Sequence, residues 1–176
     1  MNFEDFAGVI DNLCSQYDSG EFVPLLEADI MGYIHHALLA QKLASLPHIH
    51  LDSRVIGAKR NHKFDIVLGP VAIREDGRPA ISAVAVIEIK SFPKGFTDQQ
   101  HRVHFEHVLN DDIPKLSRFS CPLKVEVLFD EVRYLTGSYH TEHRIEVIVR
   151  HRAMHDANIN ILLIQRKSDR LVTQRL

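Results

Sequence analysis

The stretch Val84-Ala85-Val86-Ile87-Glu88-Ile89-Lys90 constrains the chain most. Four apolar residues lead into a carboxylate and an ammonium two positions apart. A run this apolar reads as a buried strand. Side chains alternate along a strand, so Glu88 and Lys90 share one face. Charge on a buried face is costly unless it is paired or bound to a metal, and this pair therefore calls for partners.

The length of 176 residues suits one domain with a substantial core. The composition, 45% hydrophobic and 25% charged, is that of a globular protein. No apolar run approaches the roughly 20 residues of a membrane helix. Glu4, Asp5 and Asp11 stand where a secretory signal would be basic, so a cytoplasmic protein without a membrane partner is expected. Cys14 and Cys121 lie in no metal-like spacing and read as reduced structural thiols. The net charge of −2 announces no nucleic acid, but its distribution is uneven. Seven acids and no Lys or Arg fall in residues 1–30, whereas Arg54, Lys59, Arg60 and Lys63 cluster without an acid among residues 54–63.

In chain order, Phe3, Phe6, Ile10, Leu13 and Tyr17 recur at helical spacing and predict a helix over 2–18. A second helix is expected from about Pro24 to Leu46. Met31, Ile34 and Leu38 form its apolar row, Glu27 lies on that same row, and Asp29 lies on another face. Strands are expected over 49–56, 64–73 and 81–90. Asp76-Gly77 is a strong hairpin signal between the last two. A two-residue turn pairs Glu75 with Arg78. Counting back along both strands then sets Asp65 opposite Glu88, and Lys63 opposite Lys90, with directly opposed Cβ atoms about 4.5–5.5 Å apart. Thr97-Asp98-Gln99-Gln100 reads as a capping box that opens a helix, which Pro114 kinks or restarts as far as Phe119. A strand over 124–129, a helix over 139–156, a buried strand over 159–164 and a basic tail of Arg166, Lys167, Arg170 and Arg175 complete the chain. This order is that of an α/β domain with a mixed sheet.

Two adjacent carboxylates repel each other unless a cation lies between them. Mg²⁺ or Mn²⁺ takes one or two carboxylates together with water and substrate phosphate. Asp65 and Glu88 supply that pair, and the Ile89 carbonyl a third oxygen. Lys90 beside the ion would hold the attacking water and stabilise charge on phosphorus. Glu27 would complete the metal shell or orient a metal-bound water. Gln99 and Gln100 would either position phosphate or serve as cap and surface residues.

Glu27 on a leading helix, Phe64-Asp65, and Glu88-Ile89-Lys90 together resemble the PD-(D/E)XK nuclease superfamily, the restriction-endonuclease-like fold. Phe64 stands where the family's name has proline. The resemblance implies a core of helix, three strands, helix and strand over about residues 24–129. Everything then belongs to a single domain, 1–176, with an extra N-terminal helix and a C-terminal helix and strand. It also implies metal-dependent hydrolysis of DNA phosphodiester bonds, with Asp65 and Glu88 as metal ligands, Lys90 as the catalytic lysine and Glu27 as the helix acid. The alternative is an inactive nuclease-fold protein that binds nucleic acid or a protein partner.

Substrate contact would come from Lys59, Arg60, His62 and Lys63, with Arg54, Lys94 and the basic tail extending the patch. Phosphate contacts of this kind favour affinity over sequence reading, with DNA preferred to RNA as the partner. The chain is little larger than the implied core, which suits a small structure- or end-directed nuclease or one subunit of a homodimer. His101, His104 and His107, and likewise His151 and His155, are expected to be solvated helix faces rather than zinc ligands.

Overall fold

The structure is a computed structural model that describes residues 1–56, 63–137 and 143–176. Its helices are α1 (Phe3–Asp18), α2 (Glu27–Ala40), α3 (Asp98–His107), α4 (Ile113–Ser117) and α5 (Arg144–His155). Its strands are β1 (Ile49–Ser53), β2 (Phe64–Leu68), β3 (Val71–Ile73), β4 (Pro79–Ile81), β5 (Ala85–Phe92), β6 (Leu123–Asp130), β7 (Asn160–Lys167) and β8 (Arg170–Arg175). Among the described residues, one six-stranded mixed sheet runs in the order β1-β2-β5-β6-β7-β8, and β3 and β4 form a separate two-stranded ribbon. The pairs β5–β6 and β6–β7 are parallel, while β1–β2, β2–β5 and β7–β8 are antiparallel. The protein is therefore an α/β domain with helices flanking a mixed sheet.

The alternation of side chains along each strand builds two cores. Ile66, Ile87, Ile89, Val125 and Val127 face α1 and α2. Val67, Val86, Leu128, Ile161 and Leu163 face α4 and α5, together with Val108 and Ile113. The run that dominates the sequence is β5, with seven of its eight residues buried. Its neighbour β6 is buried along its whole length, including Lys124, Glu126 and Asp130. Such burial on both faces is expected of a central strand with helix layers on either side.

The hairpin differs from expectation at its turn yet keeps its register at the sheet. Arg74 pairs with Arg78 across a three-residue loop, with Gly77 at φ +76. The expected Glu75–Arg78 pair is thus one residue off, because the left-handed Gly77 closes a longer turn. An extra residue within 82–84 then restores the count. Ile66 faces Ile87 and Val67 faces Val86, the alignment that carries Asp65 towards Glu88. This bulge also divides the expected strands, so that 64–73 becomes β2 and β3, and 81–90 becomes β4 and β5.

Other boundaries moved for identifiable reasons. α2 stops at Ala40 rather than Leu46, because Lys42 adopts φ +58 and the Leu43 and Ala44 amides both donate to the Leu38 carbonyl. This is a Schellman-type stop made without glycine. Between α3 and α4 the helix widens into a π-turn over Val108–Asp112. The wider turn accommodates Pro114, which has no N–H to give and crowds the carbonyl four residues earlier. The expected basic tail is instead strand: Arg166 and Lys167 end β7, and Arg170 and Arg175 bound β8, an edge strand paired with β7 from Leu162 to Lys167.

Candidate functional site

Three neighbouring strands set the floor of a polar cluster. Asp65 on β2, Glu88 and Lys90 on β5, and Glu126 on β6 lie on the face that meets α3 and α4, and Glu126 is the parallel partner of Glu88. The helical side adds Asp112 from the π-turn and Lys115 from α4. Glu27 enters from the first position of α2. That helix is capped by Asp29, whose carboxylate accepts the Leu25 and Leu26 amides at 2.8 and 2.9 Å. With the cap met by Asp29, Glu27 is left to reach the sheet.

Glu27 Oε1 accepts the Ser91 amide at 2.9 Å, and its Oε2 lies 3.5 Å from Lys90 Nζ. Asp65 Oδ2 accepts the Ile89 amide at 2.7 Å. Lys115 Nζ lies 2.7 Å from Glu88 Oε1 and 3.7 Å from Asp112 Oδ1, and it donates to the Lys63 carbonyl at 3.0 Å. Lys90 Nζ is 3.9 Å from Asp112 Oδ2. The Glu88–Lys115 contact is a close, largely buried ion pair. Glu126 is fully buried and neither of its carboxyl oxygens has a partner.

The electrostatics follow from burial and crowding. Burial pushes the Asp65 carboxyl up, against the Ile89 N–H and the two lysines. Burial and then the Asp65 charge push Glu88 well above the usual carboxylate range. Burial, with Asp112 and Glu88 adding to it, does the same to Glu126, so its neutral form is favoured. Asp112 is raised by burial against the pull of both lysines. Burial would lower Lys90 and Lys115, but the surrounding carboxylates outweigh it and hold both ammonium groups above their ordinary range. Five carboxyl groups thus face two lysines. This is a surplus of hard oxygen donors, with Glu126 and Asp112 Oδ2 lacking hydrogen bonds.

That donor set fits a hard divalent ion in its chemistry, and Asp65 with Glu88 is the pair that would hold one. No three His, Cys, Asp or Glu groups converge as a metal centre among the described residues. The Lys115 ammonium is the cation that lies against Glu88.

The other candidates are dispersed. Lys59, Arg60 and His62 lie outside the described residues. Lys63 pairs with Asp52 at 2.5 Å on the surface. Gln100 is the capping residue, accepting the Thr97 amide at 2.8 Å, while Gln99 is exposed. Lys94 pairs with Glu131 at 3.5 Å.

Two expectations about histidine need correction, because α3 lies over the end of β5 instead of facing solvent all round. His101 is buried, with Nε2 3.1 Å from the Pro93 carbonyl oxygen. His104 is half-buried, with Nδ1 2.9 Å from the Ser91 carbonyl oxygen and 3.5 Å from Glu27. Sequence reading missed His104, Asp112, Lys115 and Glu126 as members of the cluster. The available signals were the Asp112–Lys115 spacing of three on a helix and the Glu126 charge at mid-strand.

No family model matches the sequence, and no curated protein matches it. A solved structure, that of Pyrococcus furiosus SfsA in complex with Ca²⁺, is similar over 84% of this chain at 14% identity and a TM-score of 0.34. The match takes in 62% of that protein's chain, so the present chain spans less than two thirds of it. Among the described residues, no helix is long and apolar enough to cross a membrane.

Proposed function

We propose that the chain is a metal-dependent nuclease of the PD-(D/E)XK type, acting on DNA phosphodiester bonds. The observation that carries this reading is the clustering of Asp65, Glu88 and Lys90 on one face of adjoining strands, with Glu27 beside Lys90. The element order α2, β1, β2, β5, α3–α4, β6 supports a restriction-endonuclease-like core around it.

In this reading Asp65 and Glu88 hold Mg²⁺ or Mn²⁺. The bound ion would supply Lewis-acid stabilisation of phosphate charge and an acidified water. Lys90 orients the attacking water and stabilises the charge that develops on the phosphoryl oxygens. Asp112 and then Glu27 favour the protonated Lys90, and Glu27 keeps its ammonium in place. The Ile89 amide fixes one Asp65 oxygen, which leaves the other to bind.

A second reading is favoured by one observation, the Lys115 ammonium seated on Glu88. In that reading the cluster is a structural ion-pair network, and the protein binds nucleic acid or a protein partner without cutting.

A cleavage assay on single-stranded, duplex and branched DNA with Mg²⁺ or Mn²⁺ separates the two. The wild type is expected to cut, with Asp65→Ala and Lys90→Ala each slower by roughly a hundredfold or more. Equal rates in all three proteins, or no cutting by any, would sink the nuclease reading.

A further inference from the structure

We propose that Lys115 is a built-in counter-ion for Glu88, which a divalent ion displaces and Asp112 then receives. The proposal rests on the reading of Asp65 and Glu88 as metal ligands.

Lys115 lies where an exchange of this kind requires it. Its Nζ is 2.7 Å from Glu88 Oε1 and 3.7 Å from Asp112 Oδ1, within reach of both carboxylates. The farther carboxylate is incompletely satisfied, since the buried Asp112 Oδ2 has no hydrogen bond and only the Lys90 ammonium at 3.9 Å. A lysine carries its charge on a flexible four-carbon stem, so moving between two acceptors this close requires side-chain rotation and a shift of its hydrogen bond to the Lys63 carbonyl. The Lys115 ammonium also lies over the Phe64 ring, with Nζ 5.3 Å from its centroid, a cation–π contact at the edge of the cluster.

The reason to move is electrostatic. A divalent ion on Glu88 and an ammonium on the same carboxylate repel each other strongly in a partly buried site. Without an ion, Lys115 offsets part of the acid surplus and keeps the fold from carrying unpaired charge. With an ion, Asp112 becomes the better partner. The π-turn that presents Asp112, with Lys115 three residues on, is a local widening of a type frequent at functional sites.

The test is calorimetric Mn²⁺ titration of the full chain, comparing wild type with Lys115→Met, Asp112→Asn and the double variant. Asp65→Asn serves as the control that removes a ligand. Lys115→Met is expected to bind Mn²⁺ at least tenfold tighter than wild type, and Asp112→Asn several-fold weaker. If Asp112 acts by receiving Lys115, the Asp112→Asn effect disappears in the Lys115→Met background, whereas a general charge effect would persist. Equal affinity in wild type and Lys115→Met overturns the exchange while leaving the metal reading intact. Absence of binding in both, or binding indifferent to Asp65→Asn, overturns the metal reading and the exchange together. Should Lys115→Met not fold, ¹³C-lysine-labelled wild type decides. The Lys115 Cε resonance must shift on Mg²⁺ addition, and an unmoved resonance at saturating Mg²⁺ overturns the proposal.

Discussion

Asp130 illustrates what a buried carboxylate does to this fold. It is fully buried at the end of β6, where its two oxygens accept the Tyr134 and Leu135 amides at 2.7 and 2.8 Å. Burial nevertheless pushes its pKa up to about 6. A carboxyl whose folded pKa exceeds its unfolded value binds the proton more tightly when folded. Its contribution therefore favours folding below the unfolded value near 3.9 and is lost as the pH rises through about 6. The shift corresponds to something on the order of 3 kcal/mol. Asp65, Glu88, Asp112 and Glu126 are raised as well and add in the same sense. Urea unfolding should thus show stability falling as the pH rises from about 4 to about 6, with a shallower fall in Asp130→Asn. A curve of equal slope in the two proteins would refute the assignment. Asp65, Glu88, Lys90 and Glu27 meet where the sequence arithmetic set them, although the hairpin register holds only because the extra residue within 82–84 offsets the longer turn. Lys115, Asp112 and Glu126 left local signals, a helical spacing of three and a charge at mid-strand, but their meeting depends on how α4 and β6 pack against β5, and tertiary docking leaves no periodic mark.

At the scale of elements, caps and stops decided what could be read. The Thr97 box is a sequence pattern that the structure realises in full, with the Thr97 amide donating to Gln100 Oε1 at 2.8 Å and the Gln100 amide to Thr97 Oγ1 at 3.3 Å. Thr97→Ala removes one half of the box and should lower global stability by about 1 kcal/mol. Faster amide exchange in the first turn of α3 should accompany the loss. Unchanged exchange there would mean that the helix start is held by its packing against β5 instead. The Asn2–Asp5 box at α1 was equally available, with both reciprocal bonds at 2.9 Å, although the helix was read from its apolar spacing alone. The end of α2 could not be read, since the stop uses Lys42 in a left-handed conformation that normally signals itself through glycine. The split of the long hairpin was also hidden. An inserted residue within 82–84 changes no composition, and it offsets the longer turn, so the site register came out as expected although the turn did not.

Across the whole molecule, the sheet is closed at one side by the two ends of the chain acting together. α1 packs on β8, and Leu171 lies in the core shared with Phe6, Ile10 and Leu13. The Leu171 amide donates to both Asp18 oxygens at 3.0 and 3.1 Å, and Arg175 pairs with Glu4. Read as sequence, residues 166–175 are dominated by Arg and Lys, and the single buried leucine among them is too little to mark a strand. Only β7 supplies the partner edge, and only α1 supplies the cover. β8 should therefore behave as core. Leu171→Ala should cost about 2–5 kcal/mol, as for a buried leucine with limited room to collapse, while Gln174→Ala, an exposed residue whose Oε1 accepts from the buried Gln165 Nε2 at 3.0 Å, should cost about 1 kcal/mol. Chemical denaturation of the two variants checks this directly. If Leu171→Ala were as mild as Gln174→Ala, β8 would be a loosely held tail, and α1 would owe its place to β7 and α2 alone.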